Sequence, residues 1–541
     1  MRGEDEFQRR FIRSRTKKKM TTVIQNGTII DGTRRAAFKG DVVLEGGKIA
    51  AVVRAEEAPK AYPNAERVLD ATGLLVTPGF IDAHTHSDAY LIIEPDAPSK
   101  LAQGITTGIN GQCGGSAAPR FGEARLSSDW ASILGERLTW HSVGEYREKF
   151  AAARPSINTV QFIGHNTLRS SVVGYEGRAS TPDEMRRMIR MLEASLDEGG
   201  WGLTTGLIYQ PGKYAAQEEV VTLAKVAAAK GGFYATHMRS EGDRLLESID
   251  EVIELVKATG IRAEISHLKT SGRANWHKVD AALEKIEKAM EAGLLLGSDR
   301  YPYCAAGTDL DVVFPDWAGE GAAKAECVRL ADRATRQRIV DEINASGRDW
   351  SSVMIGGTWH EETKQFSGKM VSDCFEKFGT PGDFICEVLA KDLCRTGAFF
   401  FGMSEENLDK ILAKPWIVPG SDASLRAPWG PLGADHPHPR AYGTMPEFYR
   451  RVRALGVSRE EVIARMTSVI AERFEIPNRG KIVAGDAADL AVWDEARFES
   501  KATYLAPHQF ATGVRAVFVN GALAYEEGRF THAGTGEFLS R

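Results

Sequence analysis

A run of about 20 apolar residues, the length a membrane-spanning helix needs, is missing from the chain, so no membrane partner is expected. An excess of positive charge is missing too. With 68 Lys and Arg against 73 Asp and Glu, the net charge of -5 leaves no basic footprint, and no nucleic-acid partner is expected. Cysteine is scarce: Cys113, Cys304, Cys327, Cys374, Cys386 and Cys394 are scattered, with no CxxC pair. That usage excludes a disulfide-stapled scaffold and predicts a reducing, cytoplasmic setting. The opening MRGEDEFQRRFIRSRTKKKM lacks the apolar centre of a secretory signal, and its acids argue against a transit peptide. Residues 1–20 are expected to be a disordered tail, with Met20 a candidate biological start and the first 19 residues an extension.

What is present is enough for a large core. At 541 residues, the chain predicts an α/β barrel with additions. From Thr22 to about Pro78 it is β-rich and punctuated by Asn26-Gly27 and Gly46-Gly47, which predicts hairpins because Asn and Gly accept positive φ. The C-terminal stretch repeats this style around Asn520-Gly521. Residues 21–78 and 475–541 are therefore expected to pair into one small β-sandwich.

Between them, residues 79–474 alternate short apolar runs with amphipathic helical stretches, the pattern of parallel βαβ units. The candidate strands are GFIDAHTH, ITTGINGQ, TVQFIGH, WGLTTGL, GFYATH, IRAEISH, LLLGSD and WIVPGSD, the eight that a TIM-like (β/α)8 barrel requires. Helix starts are marked as well, as in Ser180-Thr181-Pro182-Asp183-Glu184, where a cap precedes Pro and first-turn acids. Residues 309–414 separate the last two strands and are too long for a loop, which predicts an inserted helical subdomain or lid.

Metal-capable side chains fall at the C-terminal ends of these strands: His84 and His86, Cys113, His165, His237, His267, Asp299 and Asp422. In a TIM barrel those ends converge on one pocket. Alternate residues of a strand share a face, so His84 and His86 can chelate together while Thr85 points away. A single His is more often a hydrogen-bonded core residue, but a set at equivalent strand ends is hard to produce by packing. Cys113 lies in GQCGGS, a glycine-rich turn with nothing to pack. A thiolate with two imidazoles and an open position favours zinc. Cys113, His237 and His267 are thus expected to hold a tight Zn2+, beside a weaker, harder site of His84, His86 and Asp422. Such a metal activates water and polarises a carbonyl, which points to hydrolysis. Asp422 is placed to take the proton of the water and return it to the leaving amine.

Taken together, GFIDAHTHSD, NGQCGGSAAP, GHNTLRSSVVG, GLTTGLIYQPGKYA, THMRSEGD, ISHLKTSG, GSDAS, HPHPRAYGTMPE, GKIVAGDAADLAVWD and ATGVRAVFVNG resemble the N-acyl-D-amino-acid deacylases (D-aminoacylases) of the amidohydrolase superfamily. The resemblance runs from about Thr22 to Arg541. It implies a TIM-like barrel with a small β-sandwich, a cysteine ligand at Cys113 where many superfamily members use a carboxylated lysine, and a small-molecule N-acyl amino acid as substrate. It also implies that Lys269, Tyr301 and Arg440 grip the substrate carboxylate, a task that suits a cationic Lys and a fork-shaped Arg. Tyr209 and His165 are expected to shape the pocket or support the oxyanion.

Asn166 departs from the family pattern, which usually has Gly after the His. The loop after the seventh strand, AAGTDLDVVFPDWAG, carries no cation, which predicts a preference for neutral or hydrophobic side chains. The nearest rival is an amidohydrolase acting on cyclic amides, small peptides or unusual N-acyl compounds. A hydantoinase-like enzyme would need a lysine near the fourth-strand end, where Thr204 and Thr205 stand instead. Two more distant rivals are a catalytically dead relative that keeps the fold and an enzyme in which the Cys113 thiol is the nucleophile.

Overall fold

The computed structural model describes residues 21–58, 61–124, 130 and 133–541, so the tail expected over residues 1–20 lies outside the described residues. Eight parallel strands form the barrel: Phe80–Asp82, Ile105–Asn110, Asn158–Gln161 with its continuation Ile163–Gly164, Gly202–Gly206, Phe233–His237, Arg262–Ile265, Leu296–Arg300 and Ile417–Pro419. Each pairs with the next. The ring closes where Ala83 N donates to Pro419 O at 3.2 Å and Thr85 bridges Ala423 in parallel. These strands are almost wholly buried, as expected of a parallel sheet covered by helices. The helix Pro182–Asp197 starts as its sequence predicts, with Thr181 and Glu184 forming a reciprocal capping box.

The two chain ends meet in one nine-stranded sheet. Thr21–Ile29 pairs with Phe38–Glu45, Arg67–Asp70 and Leu75–Pro78, and the last of these pairs antiparallel with Leu490–Trp493 from the other end. Ile24, Val42, Leu44, Val76, Leu490, Val492 and Phe518 form its core. Gly46-Gly47 and Asn520-Gly521 are tight hairpin turns with positive φ at both positions. Asn26-Gly27 is not a hairpin. It is a bulge inside a single strand, with Asn26 at φ 62°, and a Cβ on Gly27 would collide with Val76 Cγ2. The glycine there admits a neighbouring strand rather than reversing the chain.

The long segment before the eighth strand is mixed rather than helical. Helices Ala322–Ala331, Arg333–Ala345 and Pro381–Lys391 pack with a three-stranded antiparallel sheet of Ala306–Asp309, Gly397–Phe400 and Val353–Ile355. It has a core of its own, with Leu310, Ile339, Val353, Phe384 and Leu389. The helix Glu405–Leu412 belongs elsewhere: Leu408, Ile411 and Leu412 are part of the main barrel core, so the insertion runs from about 306 to 404. Among the described residues no helix is long and apolar enough to cross a membrane.

Candidate metal centre

Cys113 Sγ stands among three imidazoles, 3.3 Å from His84 Nε2, 3.4 Å from His267 Nε2 and 3.8 Å from His237 Nδ1. Asp422 Oδ1 closes the group, 3.4 Å from His84 Nε2 and 3.1 Å from His86 Nε2. The strand ends thus bring all six expected metal residues together. Their donor atoms converge in overlapping groups. His84, Cys113, His267 and Asp422 present donor atoms within 4.8 Å of one another, as do His237, Glu241 and His267.

Three of these residues are held in the left-handed region: Cys113 at φ 51°, His267 at φ 38° and Asp422 at φ 48°. For residues with a Cβ this costs on the order of 1–3 kcal/mol each, so the surroundings must enforce it. A buried network does so for Asp422. Asp82 accepts from Ser421 N at 2.8 Å, from Ser421 Oγ at 2.6 Å and from Lys100 Nζ at 2.8 Å. The same ammonium, 1 % exposed, donates to Ser421 Oγ at 3.1 Å and to Ala423 O at 3.2 Å. Asp422 N in turn donates to His84 O at 2.8 Å, joining the first and eighth strand ends. Asp299 orients the His84 imidazole, its Oδ2 3.2 Å from Nδ1, while its Oδ1 accepts from the His267 backbone N at 3.0 Å.

The donor set fits zinc. Burial alone would raise the Cys113 thiol, but the His84 and His267 imidazoles hold it well below its ordinary value, toward the thiolate that binds metal. His237 Nε2 is buried without a hydrogen-bond partner, the kind of orphan a ligand satisfies. Burial would likewise raise the Asp422 carboxyl, yet Arg440 first and then His267 hold it well below the usual range.

A cavity of about 460 Å³ opens above this group, with His86, Cys113 and Asp422 on its lining. Of the five residues expected to contact substrate, Tyr209 and Arg440 line it. Arg440 Nη1 is held by Asp422 Oδ2 at 2.8 Å. Lys269 lies a layer deeper, against Glu241 and 2.7 Å from His267 Nδ1. Tyr301 is fully buried, its ring 4.6 Å from the Arg440 guanidinium carbon and its hydroxyl unpartnered. His165 is not at the cavity: it heads a helix, and its Nε2 is 2.8 Å from Glu219 Oε1 in a buried cluster with Arg169. Asn166, the departure from the expected glycine, donates to Gly206 O at 3.1 Å and ties down the loop that carries Tyr209.

The sequence reading missed Glu241 and Lys100. Glu241 stands four residues beyond His237 in THMRSEGD, a spacing that marks it only in retrospect; Lys100 sits in a short helix with no motif. The segment after the seventh strand contributes Gly307, Thr308 and Asp309 to the cavity, whereas Arg395 comes from the insertion and Arg426 from the loop after the eighth strand.

The sequence profile of the amidohydrolase family matches residues 67–356 and 395–525. The chain belongs to that family. Within it, it groups with the N-acyl-D-amino-acid deacylases: it is 32% identical to a D-aminoacylase of Alcaligenes xylosoxydans xylosoxydans over 96% of this chain and 97% of that one. To an N-acyl-D-glutamate deacylase of the same organism it is 31% identical over 95% and 96% of the two chains. A solved N-acyl-D-glutamate deacylase from Bordetella bronchiseptica, complexed with zinc and a phosphonate inhibitor, superposes with a TM-score of 0.81 at 31% identity, covering 97% of this chain and 100% of that one. An amidohydrolase barrel with a β-sandwich is therefore the architecture of this chain.

Proposed function

We propose that this amidohydrolase cleaves the amide bond of N-acyl-D-amino acids, releasing a carboxylate and a free D-amino acid, with zinc at Cys113, His237 and His267. The observation that carries the reading is the Cys113 sulfur among three imidazoles at the cavity floor, beside an Asp422–Arg440 pair. Bound there, zinc supplies Lewis acidity that polarises an amide carbonyl and acidifies water. His84, His86 and Asp422 form an adjacent position, harder because it includes a carboxylate, and suited to a second, weaker metal.

The protein's own groups divide the remaining work. Arg440 binds the substrate carboxylate, and to do so it gives up Asp422 Oδ2. Substrate binding thus frees the Asp422 carboxylate from the guanidinium that depresses its basicity, so that it accepts a proton from water and passes it to the leaving amine. The Tyr301 ring lies 4.6 Å from the Arg440 guanidinium carbon and 5.9 Å from Lys269 Nζ, and so backs the guanidinium. Burial, then the nearby Cys113 and Asp422 charges, keep the Tyr209 hydroxyl protonated, so it can donate to a developing oxyanion. A preference for neutral or hydrophobic side chains is supported by the cation-free loop after the seventh strand, whereas Arg395 on the cavity wall supports an acidic group on the substrate.

The test is a screen of N-acetyl-D- and N-acetyl-L-amino acids with zinc-reconstituted wild type and Cys113→Ala. Turnover of D-substrates, with zinc and activity both lost in the variant, is the expected result. Turnover of L-substrates alone would remove the D-specific reading and leave a metal hydrolase. Unchanged zinc content in Cys113→Ala would remove the cysteine from the centre.

A further inference from the structure

Three guanidinium groups line the cavity, and two are already engaged. Arg440 pairs with Asp422 at 2.8 Å, and Arg426 with Asp435 at 2.8 Å. Arg395 has no carboxylate partner among the described residues; its Nε donates to Asp392 O at 3.3 Å, and the residue lines the cavity. The carboxylates on the wall are committed elsewhere, Asp422 and Asp435 to these arginines and Asp309 to interactions of its own.

The setting of Arg395 is built rather than incidental. Its guanidinium carbon lies 5.3 Å from the Trp359 ring centroid, and Trp359 Nε1 donates back to Arg395 O at 3.0 Å. Both hang on Asp392, 1 % exposed, which accepts from Trp359 N at 3.2 Å, His360 N at 2.8 Å, Thr363 Oγ1 at 2.6 Å and Thr396 Oγ1 at 2.7 Å. Gly357 and Gly397, also on the wall, put no side chain in the way. A stacked, anchored guanidinium loses little freedom when it forms a bidentate pair. Trp359 and Asp392 belong to residues 357–394, the stretch the family profile passes over.

We propose that Arg395, held against Trp359, is a specificity-determining residue that binds a second carboxylate on the substrate, beyond the one taken by Arg440. This rests on the deacylase reading. The second carboxylate has two chemical sources: an acidic side chain of the D-amino acid, or a dicarboxylic acyl group.

Three substrates separate them: N-acetyl-D-Leu, N-acetyl-D-Glu and N-succinyl-D-Leu, assayed with the zinc-reconstituted full chain, wild type, Arg395→Met and Arg395→Lys. The readout is the ratio of kcat/KM for each dicarboxylate to that for N-acetyl-D-Leu. One ratio is expected to exceed unity in wild type, to fall about 10- to 100-fold in Arg395→Met, the worth of a charge-assisted hydrogen bond, and to recover in part in Arg395→Lys. Which ratio responds identifies the source. Equal loss on all three substrates, or ratios indifferent to the substitution, would overturn the proposal while leaving the deacylase reading intact. No turnover of any of the three would bring down both.

Discussion

Residue by residue, the centre depends on a charge that never touches substrate. Lys100 sits beneath the eighth-strand turn, joined to Asp82, Ser421 and Ala423. Removing one partner of a buried pair leaves the other charged, desolvated and unpaired, which costs roughly 3–5 kcal/mol. Lys100→Met should therefore lower the unfolding free energy from denaturant titration by that amount and depress kcat, because the Asp422 turn loses its anchor. An unfolding free energy within about 0.5 kcal/mol of wild type would show that the pair contributes nothing to the fold. The residue scale is also where the sequence was most and least informative. His84, His86, Cys113, His237, His267 and Asp422 were legible because strand ends converge, so linear spacing could be turned into proximity. Glu241 and Lys100 were not, since a carboxylate in a loop or a lysine on a short helix carries no periodic signal. His165 misled for the same reason it attracted notice: it ends a strand run, yet the backbone turns helical there and swings it into a buried pair with Glu219.

At the level of elements, short strands were the blind spot. The insertion's three strands are three or four residues each and contain Gly307 and Gly397, too brief and too glycine-rich to show alternation. The barrel strands showed themselves instead through the helices between them. The insertion also holds a pair of acids, Asp311 and Glu326. Burial first, then the neighbouring Glu326 carboxyl, raises Asp311 to about 8; burial raises Glu326 to about 7, against hydrogen bonds from Asp311 and Cys394 that lower it. Unfolded carboxyls titrate near pH 4. A folded-state pKa above the unfolded one means that the folded insertion holds more protons between those values. Its stability is then fully present below about pH 4 and declines as pH rises through about 7 and 8. Limited proteolysis between pH 5 and 9 should accordingly cut residues 306–404 faster at the alkaline end, and Asp311→Asn should flatten that slope. A wild-type slope of the opposite sign, or one that the substitution leaves unchanged, would show that this pair does not set it.

Across the whole molecule, the two ends of the chain do more than share a sheet. The third barrel strand breaks at Phe162, and the last strand of the protein, Phe538–Leu539, pairs in parallel with Thr159 and Val160 on the side its own continuation vacates. Phe538 packs edge-on to Tyr146 and Phe150, with ring centroids 6.1 and 6.0 Å away, and Leu539 joins the cluster of Phe162, Trp201 and Phe474. Arg541 lies over Phe233 at 4.7 Å and pairs with Glu475. The composition of the C-terminal segment announced a β partner for the N-terminal strands, but a two-residue strand that completes a barrel has no signature of its own. Deleting residues 538–541 should expose this cluster and destabilise the fold by about 3–6 kcal/mol, from the apolar surface of a Phe and a Leu returned to water. The proposed metal ligands stand at the opposite ends of the strands, so zinc stoichiometry at low temperature should be retained while the thermal midpoint falls. Loss of zinc before any loss of fold would mean that the C-terminal strand acts on the centre through the third strand, rather than on the barrel as a whole.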